Sequence, residues 1–253
     1  MRADMLTMTE QPTATAERRF FTTMAFASLA VVFGGFASSY YLWPITRATH
    51  YPAGQPISHS LPLIVHLHAV AFSVWVGFLV VQAGLVSYGS IAVHRRMGRL
   101  GAGLLPIMVI TGLLTAVQGG RDGWNPGGPY ADGLGFMFVG VADIVVFASL
   151  TAAGLAWRRE PSRHKRLMLL GTIGGLMWPA ITRMPVIAGH LPVMYPLFMI
   201  LVLAPAARDF ITSSRERWLS LSIGLAILAT FPARIVIGNS SAWRALATWI
   251  TQQ

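Results

Sequence analysis

Apolar residues along this chain fall in long, nearly unbroken blocks separated by short polar connections, instead of the period-2 or period-3.6 alternation of half-buried strands and helices. A helix that crosses the hydrocarbon core of a bilayer needs about 20 mostly apolar residues. Seven blocks approach or meet that length, at residues 20–43, 62–89, 99–119, 134–157, 167–188, 193–207 and 217–238. The pattern predicts an all-α fold, a polytopic transmembrane helical bundle of seven spans. The sixth block is short and bracketed by Pro192, Pro196 and Pro205, so six spans are the alternative. Residues 1–19 read as a mobile cytoplasmic tail, 20–238 as one transmembrane domain and 239–253 as an outer interfacial segment. In that last segment Asn239-Ser240-Ser241 is a cap for a short helix over 242–251, with Trp243, Leu246 and Ile250 on one side.

Composition sharpens this picture by exclusion. Of 253 residues 54% are hydrophobic and only 11% charged, against about a quarter charged in soluble domains, which removes an ordinary soluble enzyme. Disorder requires the opposite balance. The chain has no cysteine, so disulfides, thiolate-bound zinc, iron–sulfur clusters and thioether-attached haem are excluded, leaving His, Met, Asp and Glu as possible metal ligands. The net charge of +10 arises from 19 basic and 9 acidic residues. Fourteen of the basic residues fall before the first block or in the connections 2–3, 4–5 and 6–7, and five (Arg47, Arg121, Arg183, Arg234, Arg244) on the opposite side. This asymmetry follows the positive-inside rule for a cytoplasmic N-terminus, an outer C-terminus and an odd number of spans. The basic charge is thus topological; the lipid bilayer is the expected partner and nucleic acid is not. The outer connections 44–61 and 120–133 are rich in Gly, Pro, Tyr and Trp, and Tyr40, Tyr41, Trp43, Trp124, Tyr130 and Tyr195 suit interfacial anchors.

The connection into the third block reads His94-Arg95-Arg96-Met97-Gly98-Arg99-Leu100-Gly101, and the one into the fifth reads His164-Lys165-Arg166-Leu167-Met168-Leu169-Leu170-Gly171. Both fit H-[RK]-R-[ML]-x-x-L-G, so spans 2–3 and 4–5 read as two repeated hairpins that form the core. Such repeats commonly build a binding site at their interface. Headgroup contact explains the basic residues, but not a histidine at the same place in both copies. With His66-Leu67-His68, Phe72, Trp75 and Gln82, these motifs resemble an uncharacterised family of bacterial multi-pass membrane proteins over about residues 61–188. That resemblance implies a bacterial cytoplasmic (inner) membrane location and architecture without an activity. The layout is also similar to b561-type transmembrane cytochromes, whose histidines hold two haems; the chain departs from them in having no histidine on span 4.

Ionisable groups inside a membrane are costly and mark function or a buried pair. His68, Trp75 and Gln82 recur every seven residues and share one stripe of span 2, with His68 and Gln82 about 21 Å apart. His66 lies roughly 200° round the helix from Trp75's stripe partner His68, so His68 is the core-facing candidate. Asp143 sits deep in span 4, with Arg183 and Arg234 near the outer ends of spans 5 and 7 and His190 just above them. This buried charge cluster reads either as a ligand site or as a structural salt bridge with one arginine snorkelling. Gly34-Gly35 and Gly98-x-x-Gly101-x-Gly103 read as helix contacts, and no nucleotide loop, zinc-protease helix, nucleophile elbow or paired-carboxylate site is present.

Three functions compete. The first is an electron carrier, haem b-binding or quinone-linked, with His94 and His164 as the metal ligands and His68, Gln82 and His190 as further cofactor-facing residues. The second is a proton-linked transporter or small-molecule binder, with Asp143 titrating and Arg183/Arg234 clamping an anion. The third is a non-catalytic accessory or assembly subunit of a larger membrane complex.

Overall fold

The computed structural model describes residues 2–47, 50, 61–125 and 129–253, with side chains from Thr15 onward. Most of the outer connection expected at 44–61, and residues 126–128 of that at 120–133, lie outside the described residues. Among the described residues the regular elements are helices: α1 (Arg2–Phe36), α2 (Trp43–Thr46), α3 (Leu63–Ser87), α4 (Ile91–Arg121), α5 (Gly133–Ala156), α6 (Pro161–Thr172), α7 (Trp178–Ile181), α8 (Leu191–Ile211), α9 (Arg217–Gly238) and α10 (Ser241–Thr251). Six stretches are long and apolar enough to cross a membrane: Thr15–Tyr41, Leu63–Ser87, Ile91–Arg121, Gly133–Ala156, Leu191–Ile211 and Arg217–Gly238. The chain is a multi-pass membrane protein. Its outward surface carries large apolar side chains such as Phe26, Val70, Ile110, Ile200 and Leu225, as a lipid-facing surface does.

The sixth block is longer than its prolines suggest. Pro192 occupies the first turn of α8, where a missing N–H costs nothing, and the helix continues through Pro196 and Pro205 to Ile211. The fifth block differs in the other direction. Its helix begins at Pro161, passes through a π-helical turn at Ile173–Met177 and stops at Ile181, so residues 182–188, including Arg183, lie in turns and not on a span. Pro185 cannot continue a helix and disfavours helical geometry in the residue before it; Gly189 completes the reversal at φ 81°.

This stretch, 161–181, is the centre of the molecule. Leu169, Leu170, Ile173, Leu176, Met177 and Ile181 are buried together with Trp75 of α3, Met108 of α4, Phe147 of α5, Phe198 and Val202 of α8 and Ile227 of α9. A helix that is apolar all round belongs inside. Helices α3, α4, α5 and α6 are successive neighbours, α1 lies against α3 and α7, and α8 and α9 form a hairpin whose α9 packs on α5. The core therefore extends beyond two hairpins to α1, α8 and α9. Where α1 meets α7, a Cβ on Gly35 would stand 2.1 Å from the Ala180 carbonyl oxygen, so the two backbones touch. Of the second glycine group, Gly101 is packed, against Phe78, while Gly98 and Gly103 face open space.

Helix α10 is tied to the end of the bundle where α5 begins and α9 ends. Ser240 Oγ accepts from the Trp243 N–H at 3.2 Å, the cap expected there, and the Trp243 indole donates to the Leu134 carbonyl at 2.8 Å. Ala247 is buried against the bundle, and Leu246 is 48% exposed.

Candidate functional site

Polar side chains collect at three places inside the bundle. The first is built on α5 and α9. Asp143, 4% exposed, accepts from Arg234 Nη1 at 2.5 Å, and Arg234 itself is 2% exposed. The Arg234 guanidinium carbon lies 4.7 Å from the centroid of the Phe231 ring, which holds the plane of the group. Its Nε and Nη2 are buried and have no hydrogen-bond partner. A guanidinium has five N–H donors, and each buried donor left unmade costs about 1–3 kcal/mol.

Arg183 approaches from the turn after α7. It donates to the Pro179 carbonyl at 2.8 Å and lies over the rings of Phe36 and Trp124, at 5.2 and 4.9 Å from their centroids. It acts electrostatically on both Asp143 and His68. His68 stacks on Phe72 with 4.0 Å between ring centroids, and its Nδ1 is buried without a partner. The structure thus places His68, Asp143, Arg183 and Arg234 in one electrostatic neighbourhood. His66 instead meets the Tyr40 hydroxyl at 3.0 Å on an exposed surface. His190 stands exposed at the residue before α8, where its backbone carbonyl accepts from Val193 and Met194; among the described residues nothing joins it to the cluster.

The second place lies at the opposite end of the same α3 stripe. Trp75, 1% exposed, donates its indole N–H to Thr172 Oγ1 at 3.1 Å, and Gln82 is 8% exposed. With the Gln82 amide nitrogen turned toward α4 it donates to His94 Nδ1 at 2.5 Å, while its oxygen accepts from the Gly98 N–H at 3.2 Å. The two repeat histidines meet here: the His94 and His164 rings are 6.3 Å apart, edge to face. His164 Nδ1 lies 2.7 Å from the Gly154 carbonyl oxygen. A carbonyl only accepts, so Nδ1 carries the proton and Nε2 keeps the lone pair. Among the described residues no group of three or more His, Asp or Glu side chains converges as a metal site.

The third place was not foreseen from the sequence. Arg166, counted among the inner basic residues that meet headgroups, is 0% exposed. Its Nε and Nη2 donate side-on to Asp209 Oδ2 and Oδ1 at 2.7 and 2.6 Å. Nη1 donates to the Ser162 carbonyl at 2.7 Å, Nη2 also reaches Ser214 Oγ at 3.1 Å, and Ser220 donates to Asp209 at 2.5 Å. Glu17, assigned by sequence to the tail, lies within α1 and bonds Lys165 at 2.7 Å and Arg166 at 3.3 Å. Four helices, α1, α6, α8 and α9, meet at this cluster. Its counterpart in the other repeat, Arg96, is exposed. The one available signal was Asp209, an acid at the inner end of a block surrounded by basic residues.

No known protein family, curated protein or solved structure matches the chain.

Proposed function

We propose that the chain is a seven-span membrane carrier, N-terminus cytoplasmic, that binds a small anion at the Asp143–Arg234 site and couples it to a proton. The observation that carries this reading is the buried Arg234 guanidinium with Nε and Nη2 unpartnered. Six spans come from the long apolar helices, and the buried stretch 161–181 supplies the seventh, since 21 helical residues reach about 31 Å. The bias of basic residues sets the orientation, and the resemblance of the His66–Gly98 region supports a bacterial cytoplasmic membrane.

The proton coupling follows from charge. Asp143 neutralises Arg234 while it is ionised; once it takes a proton, the guanidinium needs another anion in the same apolar surroundings. Arg183 and the unpartnered His68 Nδ1 add positive potential and a polar nitrogen nearby. The test is the melting temperature of detergent-purified protein in sodium chloride, sulfate, phosphate and propionate at constant ionic strength. At least one anion raises it for the wild type and none does for Asp143→Asn/Arg234→Gln, a pair of changes that leaves no orphaned charge. In weakly buffered solution the stabilising anion draws a proton from a pH dye, and Asp143→Asn binds without doing so. Identical melting in all four salts overturns the reading.

The contact of His94 with His164 favours a second reading, an electron carrier. Those two residues would hold a haem b, which when bound supplies one-electron chemistry. His164 suits the role, because its Nδ1–H on Gly154 leaves Nε2 for a metal. His94 accepts from the Gln82 amide at Nδ1 and so carries its proton on Nε2, and it would hold a metal there only after giving up that proton. A reduced-minus-oxidised visible spectrum with a b-type band lost in both His94→Ala and His164→Ala supports this reading; a colourless, folded protein expressed with ample haem ends it.

A further inference from the structure

We infer that the anion is a monocarboxylate, held side-on by the Nε–Nη2 edge of Arg234. The inference rests on the reading of Asp143–Arg234 as an anion site and adds its chemical class. Three observations carry it.

The first is the way Arg234 is held. Phe231 takes one face of the guanidinium and Asp143 takes the Nη1 corner, so the unpartnered atoms are the two that form the side-on fork. Two parallel N–H donors in a fixed plane match two oxygens on one atom. A spherical ion such as chloride uses the charge of that fork but not its shape.

The second comes from elsewhere in the chain. Arg166 is as deeply buried, and the same Nε–Nη2 edge there is filled by the carboxylate of Asp209 at 2.7 and 2.6 Å. The fold shows what a buried side-on arginine edge takes in this interior. At Arg234 the chain's own aspartate takes a different corner, and the edge is left for a carboxylate from outside.

The third is charge and the chemistry of the surroundings. With Asp143 protonated, the Arg234 guanidinium brings one positive charge to the fork, which one monoanion balances, while a dianion leaves an excess there that is costly away from water. Phe231, which covers one face of the guanidinium, packs on Trp178, Phe198 and Tyr195 at 4.9, 5.0 and 5.8 Å between ring centroids, so the surroundings of Arg234 are apolar. A carboxylate on an apolar body gives up less hydration on entering such surroundings than an inorganic ion does.

The experiment is isothermal titration of the detergent-purified full chain with sodium propionate, benzoate, chloride, phosphate and sulfate at constant ionic strength. Propionate and benzoate bind at least roughly tenfold tighter than chloride, phosphate or sulfate, because they alone combine two oxygens on one atom and a single charge with a body that needs no hydration. In Arg234→Lys, which keeps the charge but replaces the fork by a point charge, carboxylate affinity falls roughly tenfold or more while any chloride affinity moves by less than about threefold. Chloride, phosphate or sulfate binding as tightly as propionate overturns the carboxylate assignment and leaves the anion site standing. No binding of any probe removes both, and the Arg234 edge is then satisfied by structural water alone. Should Arg234→Lys fail to fold, 15N-labelled wild type decides: side-on binding of propionate shifts one arginine Nε–H resonance downfield, and binding without any such shift overturns the geometry.

Discussion

Arg166 and Arg234 are both buried guanidiniums facing an aspartate on another helix, and they differ in how completely they are satisfied. Arg166 spends its donors on Asp209, Ser162, Ser214 and Glu17, and Asp209 is in turn bonded by Ser220. Arg234 has Asp143 at one corner and a phenyl ring beneath it. On the proposed reading, saturation on one side and partial pairing on the other separate a fastening from a site. A buried charge that the chain fully partners holds helices together; one that it partners in part is kept at a cost in stability, as functional residues commonly are.

The largest effect that tests this contrast is at the inner end. Asp209→Leu leaves the buried Arg166 with only its longer, one-donor pairing to Glu17 and lowers stability by about 3 kcal/mol, read as an early melting transition and loss of the monodisperse peak in detergent. The outer pair responds in the opposite sense when removed whole: Asp143→Leu/Arg234→Met stabilises the protein by about 1–4 kcal/mol, since the unpartnered donors leave with the charges. The matching inner replacement, Arg166→Met/Asp209→Leu, destabilises by about 1–3 kcal/mol because Glu17, Ser214 and Ser220 lose their partners. Equal shifts for the two double variants in a thermal melt would erase the distinction.

Between the two regions lies Trp75. Trp75→Phe removes the bond to Thr172 and lowers stability by about 1 kcal/mol, with no change in the anion dependence of melting. The smallest effect is on pH. The Asp132 carboxyl is held below its ordinary value of 3.8, first by the backbone N–H of Gly135 that it caps and then by Arg244. A lowered carboxyl contributes its stability fully above the ordinary value and loses it as pH falls through the lowered one. The protection of α10 amides, after correction for the intrinsic pH dependence of exchange, should therefore be constant at neutral pH and fall only below about pH 4, slightly, because the pair is solvent-exposed; a loss of protection centred near neutrality contradicts that assignment.

Much of the architecture is legible in the hydropathy pattern, because the bilayer demands apolar length and the blocks supply it. The α3 stripe was also legible: a seven-residue spacing returns to almost the same helix face, and Trp75 and Gln82 are buried on it. Asp143 could be placed beside Arg183 and Arg234 in advance, because a deep carboxylate has few available cations, but only the structure chooses Arg234 as its partner. Arg166 was not legible, since its local sequence is that of any inner basic connection and only the convergence of α1, α8 and α9 buries it. Arg96, in the matching motif, stays exposed. The π turn at Ile173–Met177 has no signature in apolar content, because the same residues serve in either helical winding. The end of the helix at Ile181 was signalled by Pro185, which outweighs the apolar residues flanking it.

The contact of Gly35 with the Ala180 carbonyl, together with the bond from Arg166 to Glu17, 149 positions away, bears on how the protein is made. The first helix enters the membrane long before its principal partner has been translated, a wait on the order of ten seconds at ordinary synthesis rates. Throughout that interval its glycine groove faces lipid or the insertion machinery, and Glu17 has no cation from the later helix. Assembly of the bundle is thus completed late, when the central helix arrives to close against a helix already in place.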